Sequence, residues 1–218
     1  ALPLEAVNNR LSFAWKFSAA ALVSYSMIAG LASSVPRLFI LNETIRNLYF
    51  HVPMWFTMIA LMAVSLKHSL SSLRKPGLAS LELDRKAQLA AEVALVFAAL
   101  GLLTGMIWAR FTWGAFWTND PKLNGTAVAI LIYLAYFVLR SSVEDPEKRA
   151  RLAGTYNVFA FVLMIVFIGV LPRMTDSLHP GNGGNPAFGT YDLDSAMRAV
   201  FYPAVFGWIG IGLWIVEL

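Results

Sequence analysis

Two histidines and a dense aromatic segment are the residues of this chain whose types could do chemistry. His51 lies in the run Tyr-Phe-His-Val-Pro, and His179 lies much later in Leu-His-Pro-Gly. Between them, residues 108–123 carry five aromatic side chains, at Trp108, Phe111, Trp113, Phe116 and Trp117. An interfacial belt of Trp and Tyr places one or two such rings at a helix end, so this segment is denser than a belt requires.

Two neutral imidazoles beside aromatic rings suit an iron porphyrin. Imidazole nitrogens can occupy both axial positions of a haem iron, and aromatic rings can cover the flat apolar macrocycle. Arg110 and Lys122 flank the aromatic segment, and Arg46 precedes His51 by five residues, so cations are available for the propionate groups. The residues alone therefore indicate non-covalent haem binding.

A zinc site stays open as an alternative on the residues alone. Two histidines rarely complete such a site, which usually has at least three protein ligands, but carboxylates on the same side could add one: Asp120, Asp176, Asp192 and Asp194. Cysteine is absent from the chain. Disulfides, thiolate metal sites and the covalent attachment of a c-type haem are thereby excluded within it.

Whether these side chains meet depends on the elements that carry them. The chain is 58% hydrophobic and 14% charged, with a mean hydropathy of +0.61, whereas a soluble domain is nearer 45–50% apolar and about 25% charged. We therefore predict an all-α membrane protein that forms one six-span domain over residues 1–218, since six stretches approach the ~20 apolar residues that span a bilayer: Trp15–Val35, Phe50–Leu66, Ala87–Ala109, Leu123–Leu139, Leu152–Leu171 and Ala196–Val216. The chain begins at Ala1 and ends inside an apolar run, so we expect further sequence beyond both ends, and no cleavable signal peptide is visible.

The basic residues orient these spans. Eleven of the seventeen Lys and Arg lie in the N-terminal segment and in the second and fourth connections, and six lie in the first, third and fifth. The positive-inside rule then places both termini in the cytoplasm. The outward loops are expected near residues 36–50, 108–122 and 172–195, which puts His51 and His179 on the same outer side.

Local signals refine the surroundings of the two histidines. Pro53 suits the first turn of a helix, so His51 is expected just before the second span, and Trp55 is read as ordinary packing. The Gly/Asn/Pro cluster at 182–186 predicts a turn-rich loop after His179, and Asp194 is expected to cap the last helix together with its neighbours Tyr191, Asp192 and Ser195. Two further residues are read as interfacial or hydrogen-bonding, His68 at the cytoplasmic end of the second span and Glu92, although an intramembrane carboxylate is a functional candidate by default.

At these residues the chain resembles the haem-handling proteins of cytochrome c maturation, and most closely the CcmC type of the CcmC/CcmF/CcsA superfamily. The tryptophan-rich "WWD" motif of that superfamily, roughly W-G-x-W-W-x-W-D-x-R-L, aligns with residues 113–123. Five positions match outright, namely Trp113, Gly114, Trp117, Asp120 and Leu123, whereas Phe116 and Asn119 replace Trp and Lys122 replaces Arg. His51 and His179 resemble the two outward axial histidines of the family.

The resemblance implies a haem-delivery protein, not an enzyme, in the bacterial inner membrane. Such a protein holds b-type haem at the outer face and passes it to a periplasmic chaperone of the CcmE type. Its partners would be an ABC transporter of the CcmA and CcmB types, a small CcmD-type subunit and the lipid bilayer, with no nucleic acid. In this interpretation His51 and His179 ligate iron, Trp108, Trp113, Phe116 and Trp117 form the aromatic surface, and Arg110 or Lys122 engages a propionate. Asp120 is expected to orient a basic residue or a backbone turn rather than to touch haem.

Two other classes remain as alternatives. A membrane b-type cytochrome that exchanges electrons with quinone would bury paired histidines within its spans, whereas both outer histidines here are expected at span ends. A permease subunit would need polar or broken helices at the midplane, and Glu92 is the sole charged candidate within a predicted span.

Overall fold

The computed structural model describes residues 4–36, 41–179 and 193–218, with side chains from residue 12 onward, and every regular element within them is helical. The helices are α1 (Leu4–Ala32), α2 (Leu48–Leu73), α3 (Gly77–Trp113), α4 (Pro121–Ser141), α5 (Pro146–Ile165), α6 (Leu171–Met174) and α7 (Ser195–Glu217). A 3-10 helix over Asn42–Asn47 leads directly into α2, and a π-helical segment over Val166–Val170 joins α5 to α6. The prediction of an all-α protein is confirmed for these residues.

Five of the helical stretches are long and apolar enough to cross a membrane. They cover Asn42–Leu73, Gly77–Trp113, Pro121–Ser141, Pro146–Met174 and Ser195–Glu217. The remaining predicted span falls in the 29-residue helix α1, whose apolar stretch is diluted by Lys16 and several serines. All six predicted stretches therefore form helices, and the membrane crossing of α1 stays a prediction.

Helix α2 lies at the centre of the bundle, against α3, α5 and α7, while α1 packs along α7 and α4 along α5. The contact between α2 and α3 is close because α3 presents small side chains, and Ala87, Ala90, Ala91, Ala94 and Ala98 are all fully buried. Small residues allow helix backbones to approach in lipid, where apolar burial gives little net attraction between helices. On α7, a Cβ atom at Gly207 would lie 2.9 Å from the backbone nitrogen of Val23 in α1.

Buried polar side chains tie the helices together at the end where α3 begins. Arg140 of α4 donates two hydrogen bonds to the Asp84 carboxylate of α3, at 2.7 and 2.8 Å. The Asn157 side chain of α5 donates to Ser65 and Ser69 of α2, both at 2.8 Å. Because these groups are desolvated, each depends on its partner, and together they fix α3, α4 and α5 around α2.

The connection between α3 and α4, at the other end of the bundle, is short, and Gly114 and Asp120 stand at its two ends. Helix α3 ends at Trp113, and Gly114 follows with φ +83°, a left-handed conformation that glycine adopts without strain. Residues 114–120 then lead to α4, whose N-cap is Asp120 and whose first residue is Pro121. Trp108 and Arg110 thus lie in the last turns of α3, whereas the sequence predicts them in a loop.

Candidate functional site

A cavity of about 490 Å³ opens where the first turn of α2, the last turns of α3, the start of α4 and the π-helical segment converge. His51 and His179 both line it, together with Trp108, Lys122 and Arg173. Most of the remaining wall is apolar, formed by residues such as Leu41, Ile45, Leu48, Val52, Phe56, Ile59, Leu102, Leu123, Met164, Ile165 and Ile168. The volume lies within the range of about 300–1,000 Å³ that is typical of small-molecule sites.

His51 lies inside the first turn of α2, and the prediction that it precedes the helix is wrong. The helix begins at Leu48, because the 3-10 turn over Asn42–Asn47 feeds the chain into it, so Pro53 lies within the helix instead of at its first position. The ring Nδ1 lies 2.9 Å from the Gly101 carbonyl oxygen and 3.1 Å from the Thr104 hydroxyl. A carbonyl oxygen can only accept, so Nδ1 carries the proton and the Nε2 lone pair is the one available for a metal.

Two glycines of α3 make room for the His51 ring and for Trp55, one turn further along α2. A Cβ atom at Gly105 would lie 2.7 Å from His51 Cε1, and one at Gly101 would lie 2.8 Å from Trp55 Cε2. The Trp55 indole nitrogen donates to His51 Nε2 at 3.2 Å, and Trp55 also lines the cavity. Its interpretation as ordinary packing is therefore wrong, since it contacts the nitrogen expected to bind iron.

His179 is held by Asp120, the aspartate of the motif. Its Nδ1 donates to Asp120 Oδ1 at 2.9 Å, and Oδ2 of the same carboxylate accepts from the Ser177 hydroxyl and the Leu178 backbone amide, both at 2.8 Å. Oδ1 also caps α4, through the backbone amide of Lys122 at 2.9 Å. Because Nδ1 is committed to the carboxylate, Nε2 is the nitrogen of His179 that remains to bind a metal.

The Asp120 side chain is fully buried yet stays ionised. Burial raises the pKa of this carboxyl, but hydrogen bonds from His179, Ser177 and the Leu178 amide outweigh it and hold the pKa below its usual range. The carboxylate contacts both the His179 imidazole and the first backbone amide of α4, and its role in orienting these groups stays a prediction.

The aromatic residues of the motif occupy three different positions. Trp108 lines the cavity, and its ring centroid lies 5.8 Å from that of His179. Trp113 packs edge-on against both, at 4.8 Å from His179 and 4.9 Å from Trp108. Phe116 is 53% exposed, and Trp117 is 41% exposed and donates to the Asn124 side chain at 3.3 Å. Among the described residues, Trp108 therefore belongs to the cavity wall and Trp113 supports His179, whereas Phe116 and Trp117 lie outside.

Of the three cations that the sequence offers for the propionate groups, one lines the cavity and two do not. Lys122 lines the cavity, but the guanidinium of Arg110 donates to the Gly114 carbonyl at the end of α3. Arg46 donates to the Gly30 and Ser33 carbonyl oxygens and pairs with a neighbouring glutamate, which fastens the connection after α1. Arg173, which the sequence analysis did not single out, also lines the cavity, and its guanidinium donates to the Gly169 carbonyl oxygen.

The other residues singled out from the sequence lie away from the cavity or outside the described chain. His68 is in the last turns of α2, and Glu92 is exposed on α3, where it accepts from Gln88 at 2.7 Å. Within the described ranges, no group of three or more histidine or acidic side chains is placed to hold a metal ion. Asp194 caps α7 by accepting from the Met197 amide at 2.7 Å, as predicted, whereas Tyr191, Asp192 and the loop at 182–186 are not among the residues described.

Comparisons with known proteins converge on one family. The family model described as "Heme exporter protein C" (CcmC) matches residues 4–213. Similar curated proteins include heme exporter protein C of Paracoccus denitrificans, 28% identical over 64% of this chain and 57% of that protein, and its Bradyrhizobium diazoefficiens counterpart, 32% identical over 54% and 43%. A cytochrome c biogenesis protein CcsA of Prochlorococcus marinus subsp. pastoris is 38% identical over 41% of this chain and 28% of that protein. The chain thus spans under two thirds of the length of these relatives.

Proposed function

This chain belongs to the CcmC family, heme exporter protein C, and on that premise we propose that it holds haem for delivery during cytochrome c biogenesis. The observation that carries the proposal is the pair of histidines on one cavity, each with its Nδ1 proton committed to the protein, so that Nε2 is the nitrogen of each ring whose lone pair could ligate iron. Holding and releasing haem changes no covalent bond of the porphyrin, so we class the chain as a haem-handling protein and not as an enzyme.

The cavity suits haem in its chemistry, and its volume of about 490 Å³ lies in the range typical of small-molecule sites. The Nε2 atoms of His51 and His179 would ligate the iron of a bound haem, which would supply a metal centre that imidazoles hold reversibly. Apolar side chains would exclude water from the macrocycle, and Lys122 and Arg173 line the same cavity and supply positive charge for the propionates. The carboxylate of Asp120 fixes the ring of His179 and makes it a more basic ligand. The haem is therefore of the b type, bound without a thioether.

The surrounding topology follows from the charge pattern of the sequence. We place the site on the periplasmic side of a bacterial inner membrane, with six spans and both termini in the cytoplasm, because the basic residues favour that orientation. Delivery then goes to a periplasmic haem chaperone of the CcmE type, and Phe116 and Trp117 are exposed beside the site for such a contact. An ABC transporter of the CcmA and CcmB types and a CcmD-type subunit complete the proposed assembly.

The ligand assignment is tested by optical spectra of the purified protein loaded with haem. His51→Ala and His179→Ala are each expected to remove one axial nitrogen and to shift the Soret band from its bis-histidine position. His68→Ala is the matched control, since His68 lies near the opposite end of α2, and it should leave the spectrum unchanged. Wild-type Soret bands in both of the first two variants would refute the assignment.

The aromatic residues give a second test of the same site. Trp113→Phe should lower haem retention more than Trp117→Phe, because Trp113 packs against His179 whereas Trp117 faces outward. Retention is measured as the rate of haem loss to excess apomyoglobin. Equal effects of the two substitutions would show that the position of Trp113 against His179 is unimportant for holding haem.

A further inference from the structure

Trp55 contacts the nitrogen of His51 that is proposed to ligate haem iron. The His51 imidazole has one nitrogen with a lone pair, Nε2, because Nδ1 donates its proton towards the Gly101 carbonyl oxygen and the Thr104 hydroxyl. Thr104 donates its own hydroxyl proton to α3 carbonyl oxygens, at 2.8 Å from Leu100 and 3.0 Å from Gly101. It can therefore only accept from His51, and the tautomer is fixed from two sides.

The lone pair of His51 Nε2 is already engaged in the structure. The Trp55 indole N–H points at it from one helical turn away, with 3.2 Å between the two nitrogens and the rings 79° apart. One lone pair cannot accept a hydrogen bond and bind iron at the same time. Any ligand that coordinates through His51 Nε2 must therefore first displace the Trp55 N–H.

We propose that Trp55 is a release residue, whose indole N–H competes with iron for His51 and thereby weakens haem binding. The inference rests on the haem-holding role proposed above and deepens it. On release, the iron–nitrogen bond at His51 breaks, the electron pair stays on Nε2, and that pair accepts the Trp55 N–H. No proton is transferred and the iron keeps its oxidation state.

The packing of the indole against α3 shows that the contact between Trp55 and His51 is part of the interface between α2 and α3. Gly101 leaves the space that the Trp55 ring fills, since a Cβ atom there would lie 2.8 Å from Cε2 and 2.9 Å from Cζ2. Gly105 does the same for His51 one turn later. A stabilised haem-free state suits a protein that must give haem up, because the hydrogen bond compensates His51 for the ligand it loses.

The test compares haem affinity and haem loss in wild-type protein, Trp55→Phe and Trp208→Phe, each purified whole in lipid nanodiscs. Trp55→Phe should bind haem roughly two- to tenfold more tightly, the range expected for one ordinary hydrogen bond, and should lose it to apomyoglobin correspondingly more slowly. Trp208 packs against Phe97 and does not line the described cavity, so Trp208→Phe should match the wild type. Unchanged or weaker affinity in Trp55→Phe would overturn the proposal.

Two further measurements separate the N–H group from the shape of the ring. Replacing Trp55 by benzothienylalanine removes the donor and keeps the bicyclic ring, and it should reproduce the tighter binding. In haem-free protein, the indole ¹H–¹⁵N resonance assigned to Trp55 should move in His51→Ala, and an unmoved resonance would refute the hydrogen bond. If the wild type instead shows no histidine-ligated haem spectrum at all, the haem-holding function fails, independently of Trp55.

Discussion

Asp120→Asn is the substitution that tests how the second histidine is held. The carboxylate is fully buried and accepts hydrogen bonds with both oxygens, from His179 and the first amides of α4 on one side and from Ser177 and Leu178 on the other. An asparagine keeps one acceptor oxygen and replaces the other with an amide group that can only donate. Whichever way the amide turns, at least two of these hydrogen bonds are lost.

The magnitude follows from those lost bonds. A hydrogen bond to a charged group contributes about 1.5–3 kcal/mol, so the segment that carries His179 should be held less tightly by about 3 kcal/mol or more. Outer-sphere partners of metal-ligating histidines typically change metal affinity by about 10–100-fold when mutated. We therefore expect Asp120→Asn to weaken haem binding by about that factor without removing His179.

The assay is a spectroscopic haem titration of Asp120→Asn beside Asp176→Asn. Asp176 lies in the same segment as His179 and is exposed, so its substitution removes the same charge nearby without disturbing the buried hydrogen bonds. Asp120→Asn should lower the affinity and broaden or shift the Soret band, and Asp176→Asn should do neither. If Asp120→Asn binds haem like the wild type while His179→Ala does not, the carboxylate has no role in orienting the ligand and the reasoning is refuted.

Two more predictions concern the packing of α3. Gly105→Ala should displace the His51 ring, because the new methyl group would lie 2.7 Å from Cε1, and haem affinity should fall at least tenfold. The control in the same titration is Leu103→Ala, at an exposed position of α3 that does not line the described cavity. Asp84→Asn leaves the charge of its buried arginine partner uncompensated and should destabilise the protein by about 3–5 kcal/mol, measured by thermal unfolding in detergent. Glu82→Gln breaks an exposed ion pair on the same helix and should cost under about 1 kcal/mol; equal losses would contradict the burial argument.

The sequence predicts the helices of this chain better than their ends. Long apolar stretches define the spans, because a bilayer demands length and composition more than a particular pattern. The start of α2 is misjudged because Pro53 favours a first-turn position, whereas the 3-10 helix at 42–47 lets the helix begin earlier and enclose His51. Likewise α3 continues to Trp113 because Gly114 is the first residue whose conformation ends it.

For the candidate site, the sequence predicts which residues take part better than it predicts their contacts. Both histidines and the motif aspartate can be chosen from the sequence, but their contacts depend on tertiary packing. Trp55 could have been found, since it lies four residues after His51 and such pairs face the same side of a helix. The matching spacing of Gly101 and Gly105 on α3 is the second half of that signal. No comparable spacing pattern in the sequence points to Arg173.

The π-helical segment at 166–170 changes the direction in which side chains point along one continuous helix. An α-helix advances about 100° per residue, and a π turn accommodates an extra residue, so everything beyond it is rotated about the axis relative to what precedes it. Gly125 on α4 accommodates the altered backbone, since a Cβ atom there would collide with the carbonyl oxygen of Phe167. Ala160 of α5, before the segment, is buried in the core, Met164 and Ile165 next to it already line the cavity, and Arg173 beyond it lines the same cavity. A single-residue deletion in this segment would therefore rotate Arg173 about the helix axis relative to Met164 and Ile165 and turn it away from the cavity that they share.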